Sequence, residues 1–177
     1  HSFHEHIETY LEYERLCNHD EICKKNKQEC ILDKLQFTEK YDEVTCICER
    51  FYCLLDKLFT PSINNNENAH LEYLKYWLNY ELREIDDTYP KAFHQNLKTN
   101  YNTNDTLKKL DGKWDKIDKD EEKNMNLLFY FYTNCIHIIK STNKVDANKS
   151  FAMKNANHCV QKYQELEKIC PNNTKPF

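Results

Sequence analysis

At 177 residues the chain fits one domain, and a domain of that length buries roughly 70% of the surface its unfolded form exposes. Hydrophobic residues make up 40% and charged residues 31%, the composition of a soluble globular domain, which excludes default disorder. The net charge is −4, with 25 basic residues dispersed among 29 acidic ones and no long run of one sign, which excludes an electrostatic footprint for DNA or RNA.

One glycine, Gly112, and four prolines leave almost nothing from which to build the tight turns of an antiparallel sheet, and apolar residues recur at steps of three and four. The sequence therefore predicts an all-α fold: a single disulfide-braced bundle of about six helices with long loops, spanning residues 1–177. The chain starts at His1 without a charged and then apolar leader, so it is expected to be a piece of a longer protein whose signal or anchor lies outside it.

The first predicted helix is amphipathic and covers about Phe3 to Leu16. The second, about Glu43 to Phe59, carries the stripe Cys48, Phe51, Tyr52, Leu55, Leu58 and Phe59 and stops at Thr60-Pro61. Within it Cys46 and Cys53 lie two turns apart on another face, so Cys46 and Cys48 should seek partners in different directions. An Asn-rich connector, Asn64 to Asn68, leads to a helix with the stripe Leu71, Leu74, Leu78, Leu82 and Ile85 and an aromatic flank of Tyr73, Trp77 and Tyr80.

Pro90 opens a short helix around Ala92 to Leu97, and Asn100 to Thr106 reads as an exposed loop. A long helix follows Asp118, with Glu121 in capping-box spacing, and runs through Met125, Leu128, Phe129, Tyr132, Cys135, Ile136 and Ile139. Leu127, Phe131 and Ile138 make it apolar nearly all round, which predicts the central helix of the bundle. Its most apolar stretch, Leu127 to Tyr132, is cut by Thr133 and Asn134, far short of the roughly 18 residues of a membrane span. The last helix presents Ala152, Ala156, Cys159, Tyr163, Leu166 and Cys170 on one face and ends at Cys170-Pro171.

Nine cysteines, Cys17, Cys23, Cys30, Cys46, Cys48, Cys53, Cys135, Cys159 and Cys170, are more than a reduced cytosolic protein usually carries. No C-x-x-C pair occurs among them, so disulfides in an oxidising, extracellular-type compartment are the reading, rather than a zinc ribbon or a redox motif. An odd number leaves one cysteine free or bonded outside the chain.

Catalytic, cofactor and metal sites are not expected. A single glycine excludes the phosphate-cradling loops of nucleotide enzymes. Asp115, Asp118 and Asp120 lack the spacing and the turn glycine of a calcium loop. His1, His4 and His6 do not share a helix face. His137 stands two residues from Cys135 and His158 next to Cys159, but Cys-His catalysis needs a free thiolate, and cysteines on apolar stripes are more often bridged or buried. Aromatic residues, at 13%, supply core and some partner-facing positions. Sequons at Asn104, Asn148 and Asn172 suit an exposed, secreted context.

The run Leu71-Glu72-Tyr73-Leu74-Lys75-Tyr76-Trp77-Leu78-Asn79-Tyr80-Glu81-Leu82 matches a signature Tyr-Leu-x-Tyr-Trp-Leu-Asn-Tyr-x-Leu, with Tyr73, Leu74, Trp77, Leu78 and Leu82 as its core. Cys48-Glu49-Arg50-Phe51-Tyr52 precedes it, and Asn124-Met125-Asn126-Leu127-Leu128 and Cys159-Val160-Gln161-Lys162-Tyr163 follow. In these four blocks, taken in order, the chain resembles the Plasmodium interspersed repeat proteins, particularly the vivax-type variant antigens called vir. The high Asn, Lys and Tyr usage suits the A+T-rich genome such a family implies.

The resemblance implies a largely helical ectodomain of a membrane-anchored parent, displayed on infected red cells or in exported membranes, with no enzymatic activity. It also implies a host cell-surface protein as partner, for adhesion or immune evasion. Where many members are expected to have cysteines, this chain has Phe59 and Tyr89, which fits the loss of one bridge. Cys17, Cys23, Cys53 and Cys135 are less standard, so no pairing is carried over for them.

Cys30–Cys48 is the leading expected bridge, with Cys17–Cys23 and Cys135–Cys159 as alternatives. The binding residues are unassigned, with the loops at Asn64 to Asn68 and Asn100 to Thr106 as natural places for variable recognition. Two other classes stay open: an exported scaffolding protein without a host receptor, which abundant free thiols would favour, and a metal or thiol enzyme.

Overall fold

Apolar stripes at helical spacing become helices throughout. The computed structural model describes residues 6–18, 30–59, 66–100, 105–111, 119–142 and 149–169. Among them are α1 (Ile7–Cys17), α2 (Lys34–Phe37) with a 3-10 turn (Thr38–Lys40), α3 (Tyr41–Leu58), α4 (Glu67–Arg83), α5 (Tyr89–Asn100), α6 (Asp105–Asp111), α7 (Lys119–Thr142) and α8 (Lys149–Ile169), and no strand. The all-α expectation holds, and the six predicted helices are joined by two short ones, α2 and α6. No helix among the described residues is long and apolar enough to cross a membrane.

The helices divide into two compact units, residues 9–117 and residues 1–8 with 118–177, which corrects the expected single bundle. In the first, α3 and α4 pair lengthwise. Val44, Ile47, Cys48, Phe51, Tyr52, Leu54, Leu55 and Leu58 of α3 are buried, as are Leu71, Tyr73, Leu74, Trp77, Leu78 and Leu82 of α4. Both helices carry acidic residues in the first turn (Asp42 and Glu43; Glu67) and a basic residue in the last (Lys57; Arg83), the order their dipoles favour.

Local chemistry sets the boundaries in this unit. Asp33 caps α2 by accepting from the Leu35 amide at 2.9 Å. Asp86 accepts from the Thr88 amide at 2.8 Å and the Thr88 hydroxyl at 2.6 Å, and these bonds hold its carboxyl below the usual range at the turn into α5. Pro90 sits in the first turn of that helix, which runs further than expected, to Asn100.

Buried Asn96 of α5 ties down the segment before α3. Its amide oxygen accepts from the Asp33 amide at 2.8 Å, and its nitrogen donates to Gln36 Oε1 at 2.6 Å and the Ala92 carbonyl at 2.9 Å. Tyr89 meets the Phe37 ring edge to face at 5.2 Å, while Phe59 meets His70 in the same way at 6.0 Å. The two aromatic residues that stand in place of expected cysteines therefore contact different elements.

In the second unit α7 and α8 pack against each other. Met125 to Phe129 and Phe131 to Cys135 are half-buried and Tyr130 is 47% exposed. The helix expected at the centre of the bundle is thus one member of a pair, and α3 and α4 carry many of the fully covered positions. An all-round apolar helix needs neighbours on every side to be buried, and among the described residues of its unit the close partner of α7 is α8.

Candidate functional site

Two places bring polar side chains together. The first lies under the signature on α4. Tyr73 is fully buried, and its hydroxyl donates to the Glu14 carboxylate of α1. The Tyr10 ring stacks on it with centroids 4.0 Å apart, and the Tyr10 hydroxyl lies 3.1 Å from His70 Nδ1. One turn along α4, the Arg50 guanidinium of α3 sits 5.0 Å over the Trp77 ring and donates to Glu81 at 2.7 Å.

Burial pushes the Glu14 carboxyl above its ordinary value, the Tyr73 hydrogen bond pulls it down, and the charges of Glu81 and Arg50 act in opposite directions on it. Burial likewise pushes the Tyr73 phenol well up. The Tyr73 phenol held neutral against the Glu14 carboxyl, and the Tyr10 phenol against His70, form a buried polar seam between packed helices. All five signature residues, Tyr73, Leu74, Trp77, Leu78 and Leu82, are buried, and they fix helix register rather than meet a ligand.

The bridges reinforce the same unit. Cys17 at the end of α1 is bonded to Cys53 on α3, and Cys30 to Cys48, each pair with Cα atoms 5.8 Å apart. Cys30–Cys48 is the leading expected pair. Cys17–Cys23 is corrected to Cys17–Cys53, because α1 lies across the α3–α4 pair and brings Cys17 to the buried α3 face that holds Cys53. Cys46, a bridge candidate by its sequence, is a free, exposed thiol two turns from Cys53 along α3.

Cys135 is bonded to Cys159, which removes both thiols from the Cys-His pairs read in the sequence. No group of three or more His, Cys, Asp and Glu among the described residues is arranged to hold a metal. Cys23, Cys170, His1, His4, Asp115, Asp118 and the three sequon asparagines lie outside the described residues, as do Asn64, Asn65 and Tyr101 to Asn104 of the proposed recognition loops. The ends of those loops are helical: Glu67 and Asn68 open α4, and Asp105 and Thr106 open α6.

The second place is an open cleft of about 350 Å³ between α7 and α8, lined by Tyr130, Asn134, Lys154, Asn157, His158 and Gln161. His158 Nε2 lies 3.2 Å from the Tyr130 hydroxyl, with the rings edge to face at 5.4 Å. Lys162 stands 5.9 Å from the centre of the Tyr130 ring while donating to Glu165 at 2.7 Å. Asn134 donates to the Tyr130 carbonyl at 2.7 Å, one turn back along its own helix. The bridge Cys135–Cys159 is adjacent in sequence to two lining residues, Asn134 and His158, and pins the helices there.

Sequence reading weighed only His158 of this group for chemistry, and for a different chemistry. The available signal was the spacing of Lys154, Asn157, His158 and Gln161, three to four residues apart on one face and free of carboxylates. No family model matches the chain, and no curated protein or solved structure does either.

Proposed function

We propose that the chain is a disulfide-braced helical ectodomain of the vir type, carried by a membrane-anchored malaria-parasite protein on infected red cells or in exported membranes, which binds a host cell-surface protein for adhesion or immune evasion. The observation that carries this reading is the three disulfides, spread over both units, two joining helices and one tying the Cys30 segment to α3, which an oxidising compartment would keep. The buried signature supports it as well. Residues that build register leave the outer faces and loops free to vary, as a recognition scaffold requires.

The test is a screen of the oxidised domain, secreted from eukaryotic cells, against an array of human cell-surface receptor ectodomains. The expected result is saturable binding to at least one receptor that survives competition with serum protein and is lost on reduction and unfolding. A chain that is secreted folded yet binds none would overturn the receptor role and favour a scaffolding protein of the exported compartment.

A further inference from the structure

The α7–α8 cleft has the composition of a small polar-ligand site. Its volume of about 350 Å³ stands at the lower end of the range for ligand sites, enough for one or two rings rather than a long chain. No carboxylate is among the described residues that line it, although acidic residues outnumber basic ones in the chain by 29 to 25. Exposed Lys154 has no anionic partner among the described residues, whereas nearby Lys162 is engaged by Glu165. Among the described residues nothing competes with an anion from solution for its ammonium.

Asn157 and Gln161 are exposed on the same face, and each amide offers a donor and an acceptor side by side, which suits neighbouring hydroxyl groups. Tyr130 presents a ring 47% exposed, with its hydroxyl against His158 and the Lys162 ammonium 5.9 Å from its centre, and the remaining aromatic surface is open. Such a ring packs against the C–H face of a sugar ring while the rim bonds the hydroxyls. The adjacent Cys135–Cys159 bridge fixes the two helices beneath the cleft, so little ordering is required on binding.

We infer that this cleft binds an acidic sugar, a pyranose bearing a carboxylate or sulfate, with Lys154 meeting the anion, Asn157 and Gln161 the hydroxyls, and Tyr130 the ring face. An acidic peptide fits less well. The site has no deep apolar pocket for an anchoring side chain, and the described residues include no strand edge for an extended chain to join. The inference is independent of the proposed host-protein partner and stands or falls on the cleft alone.

The test is an NMR titration of the isotope-labelled, oxidised chain with sialyllactose, a sulfated heparin disaccharide, uncharged lactose and an acidic tetrapeptide. Saturable shifts in α7 and α8 are expected with an acidic sugar, and the two acidic probes distinguish carboxylate from sulfate. Lys154→Gln should weaken that binding roughly tenfold, the loss of one charge-assisted contact. Asn157→Ala should weaken it too, while Lys168→Gln, at the exposed far end of α8, should leave it unchanged. An unaltered melting temperature shows that each variant folds. Shifts with neither acidic sugar, equal binding of lactose, indifference to Lys154→Gln, or equal binding of the tetrapeptide would each overturn the inference.

Discussion

The α3–α4 pair and the α7–α8 pair are both made of amphipathic helices, the second joined by a disulfide and the first bridged to its surroundings through α3, yet they bury their apolar residues to different depths. In α3 and α4, Phe51, Leu54, Leu58, Tyr73, Leu74 and Leu82 are fully buried. Among the described side chains of α7 and α8 none is fully buried, and Tyr130, Met153, Val160 and Tyr163 are exposed. Periodicity tells which residues face a neighbour. It does not tell how many neighbours there are.

Four tests sharpen this contrast. The largest effect is expected for Phe51→Ala, which should cost about 3–5 kcal/mol by chemical denaturation, against about 1–2 kcal/mol for half-buried Phe131→Ala. Equal losses would erase the distinction between the two pairs.

Next come the bridges. Replacing Cys17 and Cys53 together by serine should cost about 2–5 kcal/mol. Their separation of 36 residues is twice the 18 of Cys30–Cys48, so loop entropy makes the former bridge worth about 0.6 kcal/mol more, measurable as a difference between the two double variants.

A smaller, pH-dependent effect belongs to Glu14. Its folded pKa is raised, so the native state holds the proton more tightly than the unfolded chain. The stability this supplies is fully present below the ordinary carboxylate pKa and fades as pH rises through the raised value. Glu14→Gln mimics the protonated acid and keeps an acceptor for Tyr73. Its stability relative to the parent should therefore rise with pH across that window, and a difference constant from acid to neutral pH would contradict the account. Least of all, Val160→Thr, at a residue 56% exposed, should change stability by no more than about 0.5 kcal/mol.

Much of the fold was legible in the sequence because helices announce themselves locally. The stripe from Cys48 to Leu58, the run Leu71 to Leu82 and the pairing of Cys135 with Cys159 rest on spacing or on helices that follow one another in the chain. The bond between Cys17 and Cys53 and the contact of Glu14 with Tyr73 depend on where α1 crosses distant helices, which no local pattern encodes. The same holds for the limited cover on α7. As for the cleft, its α8 face could have been read from Lys154, Asn157, His158 and Gln161, but Tyr130 and Asn134 join it only when α7 and α8 pack together.

Disulfide mapping by mass spectrometry, with alkylation of free thiols, on folded protein secreted from eukaryotic cells tests the central claim of a braced ectodomain most directly. The account predicts peptides linked through Cys17–Cys53, Cys30–Cys48 and Cys135–Cys159, with Cys46 alkylated without unfolding. Cys17 linked to Cys23, or these six cysteines recovered mostly as free thiols, would contradict it.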